Sequence, residues 1–152
     1  MMLKRYQSIL ALVLAVVTTF LVSCSSPTAT KAPPTYTSTQ LEQIQKYAST
    51  IDGFRDRITE LNNLIQNQEW IEVGSLIHGP LGTLRQEMAY LTRNLLPSAQ
   101  PAARKAAKDV FCHLEAIDAA AQDNNYQKAR DNYKEALKDF DAFLRQIPET
   151  NS

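Results

Sequence analysis

Apolar residues recur every three or four positions through most of this chain, and this spacing restricts the fold more than any other feature. Four stretches carry it, from Ile44 to Ile65, Trp70 to Leu95, Ala103 to Ala121 and Tyr126 to Ile147. Such spacing collects apolar side chains on one face of a helix, whereas no stretch alternates as a strand does. The pattern therefore predicts an all-α fold, an up-down-up-down four-helix bundle at residues 39–148, followed by a short tail at 149–152.

Polar and Pro-containing turns separate the four predicted helices. Thr39 and Glu42 form a capping-box pattern that predicts where the first helix begins. Pro97 to Pro101 forms the second turn, with Ser98 as a plausible cap, and Asp123-Asn124-Asn125 forms the third. Pro148 should end the fourth helix, because proline cannot donate a helical hydrogen bond.

The second helix contains a break in its middle, at His78-Gly79-Pro80. Pro80 has no N–H for the carbonyl of Leu76, and it disfavours helical geometry at Gly79. The apolar stripe nevertheless stays in phase across these residues. We therefore predict one long kinked helix. The His78 ring is expected to donate to a carbonyl that Pro80 leaves unpaired, with a docking role for His78 as the alternative.

The N-terminal residues are typical of an export signal. Lys4 and Arg5 precede an uncharged run, Ile9 to Val22, and Leu21-Val22-Ser23-Cys24 resembles the lipobox of bacterial lipoproteins. This predicts that residues 1–23 are removed and that Cys24 carries lipid. Residues 24–38, rich in Pro, Thr and Ser, would then form a flexible tether with a reach of about 40 Å. A plain signal peptide with a chance cysteine is the alternative.

Charge and cysteine content exclude several classes of function. Removal of Lys4 and Arg5 from the 16 basic residues leaves 14 against 16 acidic ones, a formal net charge of −2. Nucleic-acid binding usually needs a strongly basic face, so no such partner is expected. With Cys24 assigned to lipid, Cys112 has no partner for an internal disulfide.

Catalysis is not predicted either. Cys112 falls away from the apolar stripe of its helix and has no assigned base beside it. No Ser/His/Asp arrangement, Gly-rich phosphate loop or paired-carboxylate site can be identified. The chain is therefore expected to be no enzyme and to bind no cofactor.

Asp109 and His113 have the four-residue spacing of helix-borne metal ligands. No third ligand accompanies them, since Cys112 points about 100° away from its neighbour. A surface ion pair is therefore preferred, and a bound metal remains the alternative.

Charges along the third helix run against the helix dipole. Arg104, Lys105 and Lys108 lie toward its N-terminus, with Arg93 just before the turn, and the acidic residues Asp109, Glu115, Asp118 and Asp123 follow. The dipole favours the opposite order by about 0.3–1 kcal/mol per charge. The four cations, which the bundle topology places at the tethered end, are therefore either a docking surface or ordinary solvated charge.

Several segments together resemble the PsbQ family of photosystem II in its cyanobacterial form. They are Trp70, Ile77 to Arg85, Phe111 to Ala120, Ala136 to Leu144, and Ile147-Pro148. The resemblance covers about residues 40–148, and the lipobox agrees with it.

This resemblance implies an extrinsic subunit on the lumenal side of the thylakoid membrane, attached by its N-terminal lipid. Its partners would be the photosystem II core and the other extrinsic lumenal subunits. It would stabilise the oxygen-evolving manganese–calcium cluster and help to retain calcium and chloride, without ligating the cluster. A metal- or small-ligand-binding envelope lipoprotein on the same bundle is the alternative.

Overall fold

The structure, a computed structural model, describes residues 34–149 and contains six α-helices in that range. The predicted signal peptide, Cys24 and most of the predicted tether lie outside the described residues. The helices are α1 Ser38–Asp52, α2 Arg55–Gln66, α3 Trp70–His78, α4 Leu84–Asn94, α5 Gln100–Gln122 and α6 Tyr126–Leu144.

These helices confirm the predicted all-α bundle. α1 and α2 follow each other as the first helical segment, α3 and α4 form the second, and α5 and α6 are the third and fourth. α1 packs on α4, α2 on α3 and α6, and α5 on α3, α4 and α6. Within residues 34–149, each helix is either too short or too polar to span a bilayer.

The four apolar stripes meet in one core. Its largest fully buried side chains include members of every segment, such as Ile44, Leu61, Leu84, Ile117 and Phe140. Thr92 is the only polar side chain buried among the described residues, and its hydroxyl donates to the Met88 carbonyl at 2.7 Å. That internal bond satisfies the hydroxyl without a partner from another helix.

The capping box that begins α1 lies two residues earlier than predicted. The hydroxyl of Thr37 accepts from the Gln40 N–H at 3.2 Å, and the Gln40 side chain accepts from the Thr37 N–H at 3.0 Å. The chemistry is the one predicted for Thr39 and Glu42, but the structure places it on Thr37 and Gln40 because the helix begins at Ser38.

The first helical segment is interrupted once, although the sequence predicted one continuous helix. Gly53 and Phe54 form a turn between α1 and α2, where the Phe54 N–H donates to the Ile51 carbonyl at 3.0 Å. The low helix propensity of glycine allows this turn. Ile51 and Ile58 are buried on either side, so the apolar stripe continues across it.

The second segment is kinked at Gly79 and Pro80, as predicted, and the geometry of the kink is now visible. α3 ends at His78, and a 3₁₀ turn at Pro80–Thr83 leads directly into α4. Gly79 lies between them with φ −93° and ψ −98°. The kink is thus a 3₁₀ turn between two α-helices rather than a bend within a single α-helix.

The remaining turns differ in detail from the prediction. Ser98 caps nothing, because α5 begins after Ala99 without a side-chain cap. Asn124 has φ +53°, and the Asn125 side chain accepts from the Lys128 N–H at 3.0 Å to cap α6. α6 ends at Leu144, before Pro148 is reached.

Candidate docking surface

A groove between α4 and α5 brings most of the predicted docking cations together. Its volume is about 320 Å³, and we call it the cationic groove. Its lining residues are Arg85, Ala89, Thr92, Arg93, Arg104, Ala107, Lys108 and Phe111. Four of these eight side chains are cations and none is acidic.

The antiparallel packing of α4 and α5 explains this arrangement. Arg93, near the end of α4, and Arg104, near the start of α5, both line the groove close to the turn between the helices. About two helical turns further along each helix, Arg85 meets Phe111, with its guanidinium carbon 4.2 Å from the ring centroid. Cations therefore line both sides of the groove along its length.

The basic side chains of the cationic groove are exposed and only loosely held. Arg93 lies over the Tyr90 ring at 5.6 Å, and Arg104 donates to the Gln100 side chain at 2.9 Å. Neither they nor Lys108 form an ion pair within residues 34–149. Arg85 does form one, with Glu115 at 2.9 Å, but both side chains are largely exposed.

Lys105 was predicted to share this surface, but it does not line the groove. Its ammonium group is hydrogen-bonded to Asp109, one helical turn further along α5. The Asp109 carboxylate raises the pKa of Lys105 through that hydrogen bond and through its charge, and Asp139 of α6 adds a smaller contribution. Lys105 therefore belongs to a network on the α6 side of α5.

The cationic groove lies at the end of the bundle where the described chain begins. The N–H of Leu96, in the turn between α4 and α5, donates to the Tyr36 hydroxyl at 3.3 Å. The Gln100 side chain, which holds Arg104, also donates to the Leu95 carbonyl at 2.9 Å. The turn and the start of α1 are thus fastened together, as the predicted topology required.

His78 has a different partner from the one predicted. Its Nε2 lies 3.1 Å from the Asp118 carboxylate of α5, and no carbonyl at the kink accepts from its ring. The pair borders a second groove of about 270 Å³, which shares Arg85 and Phe111 with the cationic groove. The packing of α3 against α5 brings the His78 ring next to the Asp118 carboxylate, and the ring therefore points to α5 rather than to the kink.

Asp109 and His113 do not form the surface ion pair predicted for them, which was the alternative to a metal site. Asp109 pairs with Lys105, while the His113 ring contacts α6, with Nδ1 3.0 Å from the Asn132 side-chain oxygen and Nε2 3.5 Å from Asp139. No group of three or more His, Cys, Asp or Glu side chains within residues 34–149 is arranged to hold a metal ion. Cys112 is exposed and free, as its position opposite the stripe indicated.

Two features of the cationic groove were missed in the sequence. Arg85 and Phe111 are not among the four cations predicted to form a docking surface, although both belong to segments that resemble PsbQ. Arg85 is eight residues before Arg93, and Phe111 is seven after Arg104, so each lies on the same face of its helix as that cation. This spacing in the sequence could have predicted that Arg85 and Phe111 border the same surface as the cations.

Comparisons with known proteins agree on one family. The family described as PsbQ, oxygen-evolving enhancer protein 3, matches residues 5–148. A curated relative, CyanoQ of Synechocystis sp., is 45% identical over 150 residues, which are 98% of this chain and 100% of the relative. The match includes the whole bundle and the predicted docking residues.

Proposed function

The chain belongs to the PsbQ family, and we propose from this membership how it acts on photosystem II. It is an extrinsic photosystem II subunit that supports oxygen evolution, and it is not an enzyme. The observation that carries this function is the family match, which extends across all four helical segments. The same match favours this function over an envelope lipoprotein that binds a metal or small ligand.

The proposal goes further than family membership in three respects. The chain docks on the lumenal surface of photosystem II, beside core and other extrinsic subunits. There it helps to retain calcium and chloride at the oxygen-evolving cluster without supplying a ligand. A lipid on Cys24 holds it at the membrane, while Arg93, Arg104, Lys105 and Lys108 contribute positive charge to docking.

Electrostatics support docking through the α4/α5 corner. Each exposed ion pair contributes little to affinity, but several charges of one sign together set association rate, orientation and salt sensitivity. Three of the four proposed docking cations have no ion-pair partner in residues 34–149, so they are available to carboxylates of another protein.

Co-purification tests the proposed function directly. The full chain, tagged at its C-terminus, is expressed in a photosynthetic host in place of the host's own homologue, and oxygen-evolving complexes are isolated. We expect the chain in these complexes, and we expect cells without it to lose oxygen evolution when calcium or chloride is limiting. If the chain is absent from the complexes and purifies with a stoichiometric metal instead, the alternative function is favoured.

A further inference from the structure

We infer that the cationic groove binds an acidic amphipathic segment of a lumenal protein partner, one that places carboxylates on both sides of an apolar side chain. The inference rests on the proposed function, since it names the chemistry of the partner surface. It adds Arg85 to the proposed docking cations, and it leaves Lys105 to contribute charge from outside the groove.

The first reason is a local excess of positive charge. Elsewhere in residues 34–149 most cations face carboxylates, as Arg57 faces Glu60 at 2.9 Å and Lys138 faces Glu135 at 2.9 Å. In the cationic groove, Arg93, Arg104 and Lys108 line one cavity and have no carboxylate partner in residues 34–149. Like charges gathered in this way repel one another, and anionic groups between them would relieve that repulsion.

The second reason is the apolar surface between the cations. Ala89 is exposed and Ala107 half-buried, and together they form an accessible apolar surface, while Phe111 is buried beneath it under the Arg85 guanidinium. Thr92 also lines the groove, but its hydroxyl is already bonded to the Met88 carbonyl. A ligand that offers only charge would leave this apolar surface in contact with water. An apolar side chain between two carboxylates would remove it from water.

The third reason is the length over which the charges extend. Arg85 and Arg93 are eight residues apart on α4, which corresponds to about 12 Å along the helix axis. A partner helix with carboxylates seven or eight residues apart, about 10–12 Å along its axis, would meet cations at both ends of the groove. A lipid head group with a single negative charge would satisfy one end only.

A matched pair of triple variants tests the inference in complete photosystem II. The groove variant is R93Q/R104Q/K108Q, and the control is K46Q/K128Q/R145Q. The control removes the same net charge from exposed cations that also form no ion pair in residues 34–149 but lie outside the groove. Both are expressed as full chains in the photosynthetic host, and isolated complexes are washed at increasing salt.

We expect the control to behave like the parent. The groove variant should bind about tenfold more weakly or worse at low salt, and its retention should depend less on salt, since fewer charges contribute. If the groove variant and the control are released alike, the groove is not the docking site. If the parent itself is absent from the complexes, the proposed function fails and the inference fails with it.

The apolar surface is tested separately by Ala89→Gln. Ala89 is exposed on α4, so the longer polar side chain enters the groove without a change of net charge or of core packing. We expect weaker retention with an unchanged salt dependence. Retention equal to that of the parent would show that only charge is recognised, which contradicts an amphipathic partner.

Vesicles distinguish a protein partner from a lipid. Parent, groove variant and control are mixed with vesicles of phosphatidylcholine alone or with about one-third phosphatidylglycerol. We expect the groove variant and the control to bind the anionic vesicles equally. Loss of vesicle binding by the groove variant, with normal retention on photosystem II, would assign the groove to anionic lipid and overturn the inference.

Discussion

Two glycines three positions apart in the kink have different surroundings. A Cβ atom on Gly79 would lie 2.8 Å from the Ser75 carbonyl oxygen, which already accepts the Gly79 N–H at 2.9 Å. A Cβ atom on Gly82 would meet nothing within 4 Å. The kink therefore depends on glycine at residue 79, where the backbone of α3 comes too close for a side chain.

We expect Gly79→Ala to lower the free energy of unfolding by about 1–3 kcal/mol, as overpacking typically does, because the contact is with backbone and cannot rotate away. Gly82→Ala is the control, and it should be neutral or stabilise by about 0.4–1 kcal/mol through the unfolded state. Urea unfolding followed by circular dichroism measures both. Equal stability of the two variants would show that the kink adjusts to a side chain at residue 79.

Side-chain partners on neighbouring helices were the least predictable feature at this scale. The sequence placed Asp109 beside His113 by their spacing on one helix, but spacing within a helix cannot reveal what a second helix brings. Asn132 and Asp139 of α6 meet His113, and Asp118 of α5 meets His78. Each of these contacts depends on the relative rotation of two packed helices, which the apolar stripes fix only coarsely.

At the scale of the helices, the sequence predicted the four apolar stripes and their order, because burial of one face dominates helix stability in a bundle. It predicted the ends less well. Two overlapping signals, Thr37 with Gln40 and Thr39 with Glu42, both suit a helix start, and the structure uses the first. The turn at Gly53 was also not predicted, because the apolar stripe stays in phase across it.

The start of α1 gives a direct test. Thr37→Ala should destabilise the bundle by about 0.5–2 kcal/mol, because it removes the hydroxyl that accepts the Gln40 N–H at the start of α1. Thr39→Ala, on an exposed position inside α1, should be neutral or slightly stabilising, since alanine favours helix. Thermal unfolding of the two variants measures the difference, and the reverse order would restore the predicted start at Thr39.

At the scale of the whole molecule, the bundle carries its cationic groove at the end where the described chain begins. The Leu96–Tyr36 hydrogen bond fastens the α4/α5 turn to that end. A lipid on Cys24, with a predicted tether reach of about 40 Å, would confine the groove to a thin layer above the membrane. Such confinement raises the effective concentration of a weak docking site, so individually weak charge contacts could suffice for a stable subunit.

The lipid itself is the last prediction. Intact-mass spectrometry of the full chain from a photosynthetic host should show a mature protein that begins at Cys24 and carries a diacylglycerol. Cys24→Ala should abolish both the lipid and the cleavage, while the melting temperature of the bundle stays unchanged because the substitution alters none of the core residues described in 34–149. Cys112→Ala, at an exposed free cysteine, is the control and should be processed like the parent. An unmodified Cys24 on the mature chain would show that the Leu-Val-Ser-Cys motif is a chance match, and the groove would then have to hold the subunit on photosystem II without an anchor.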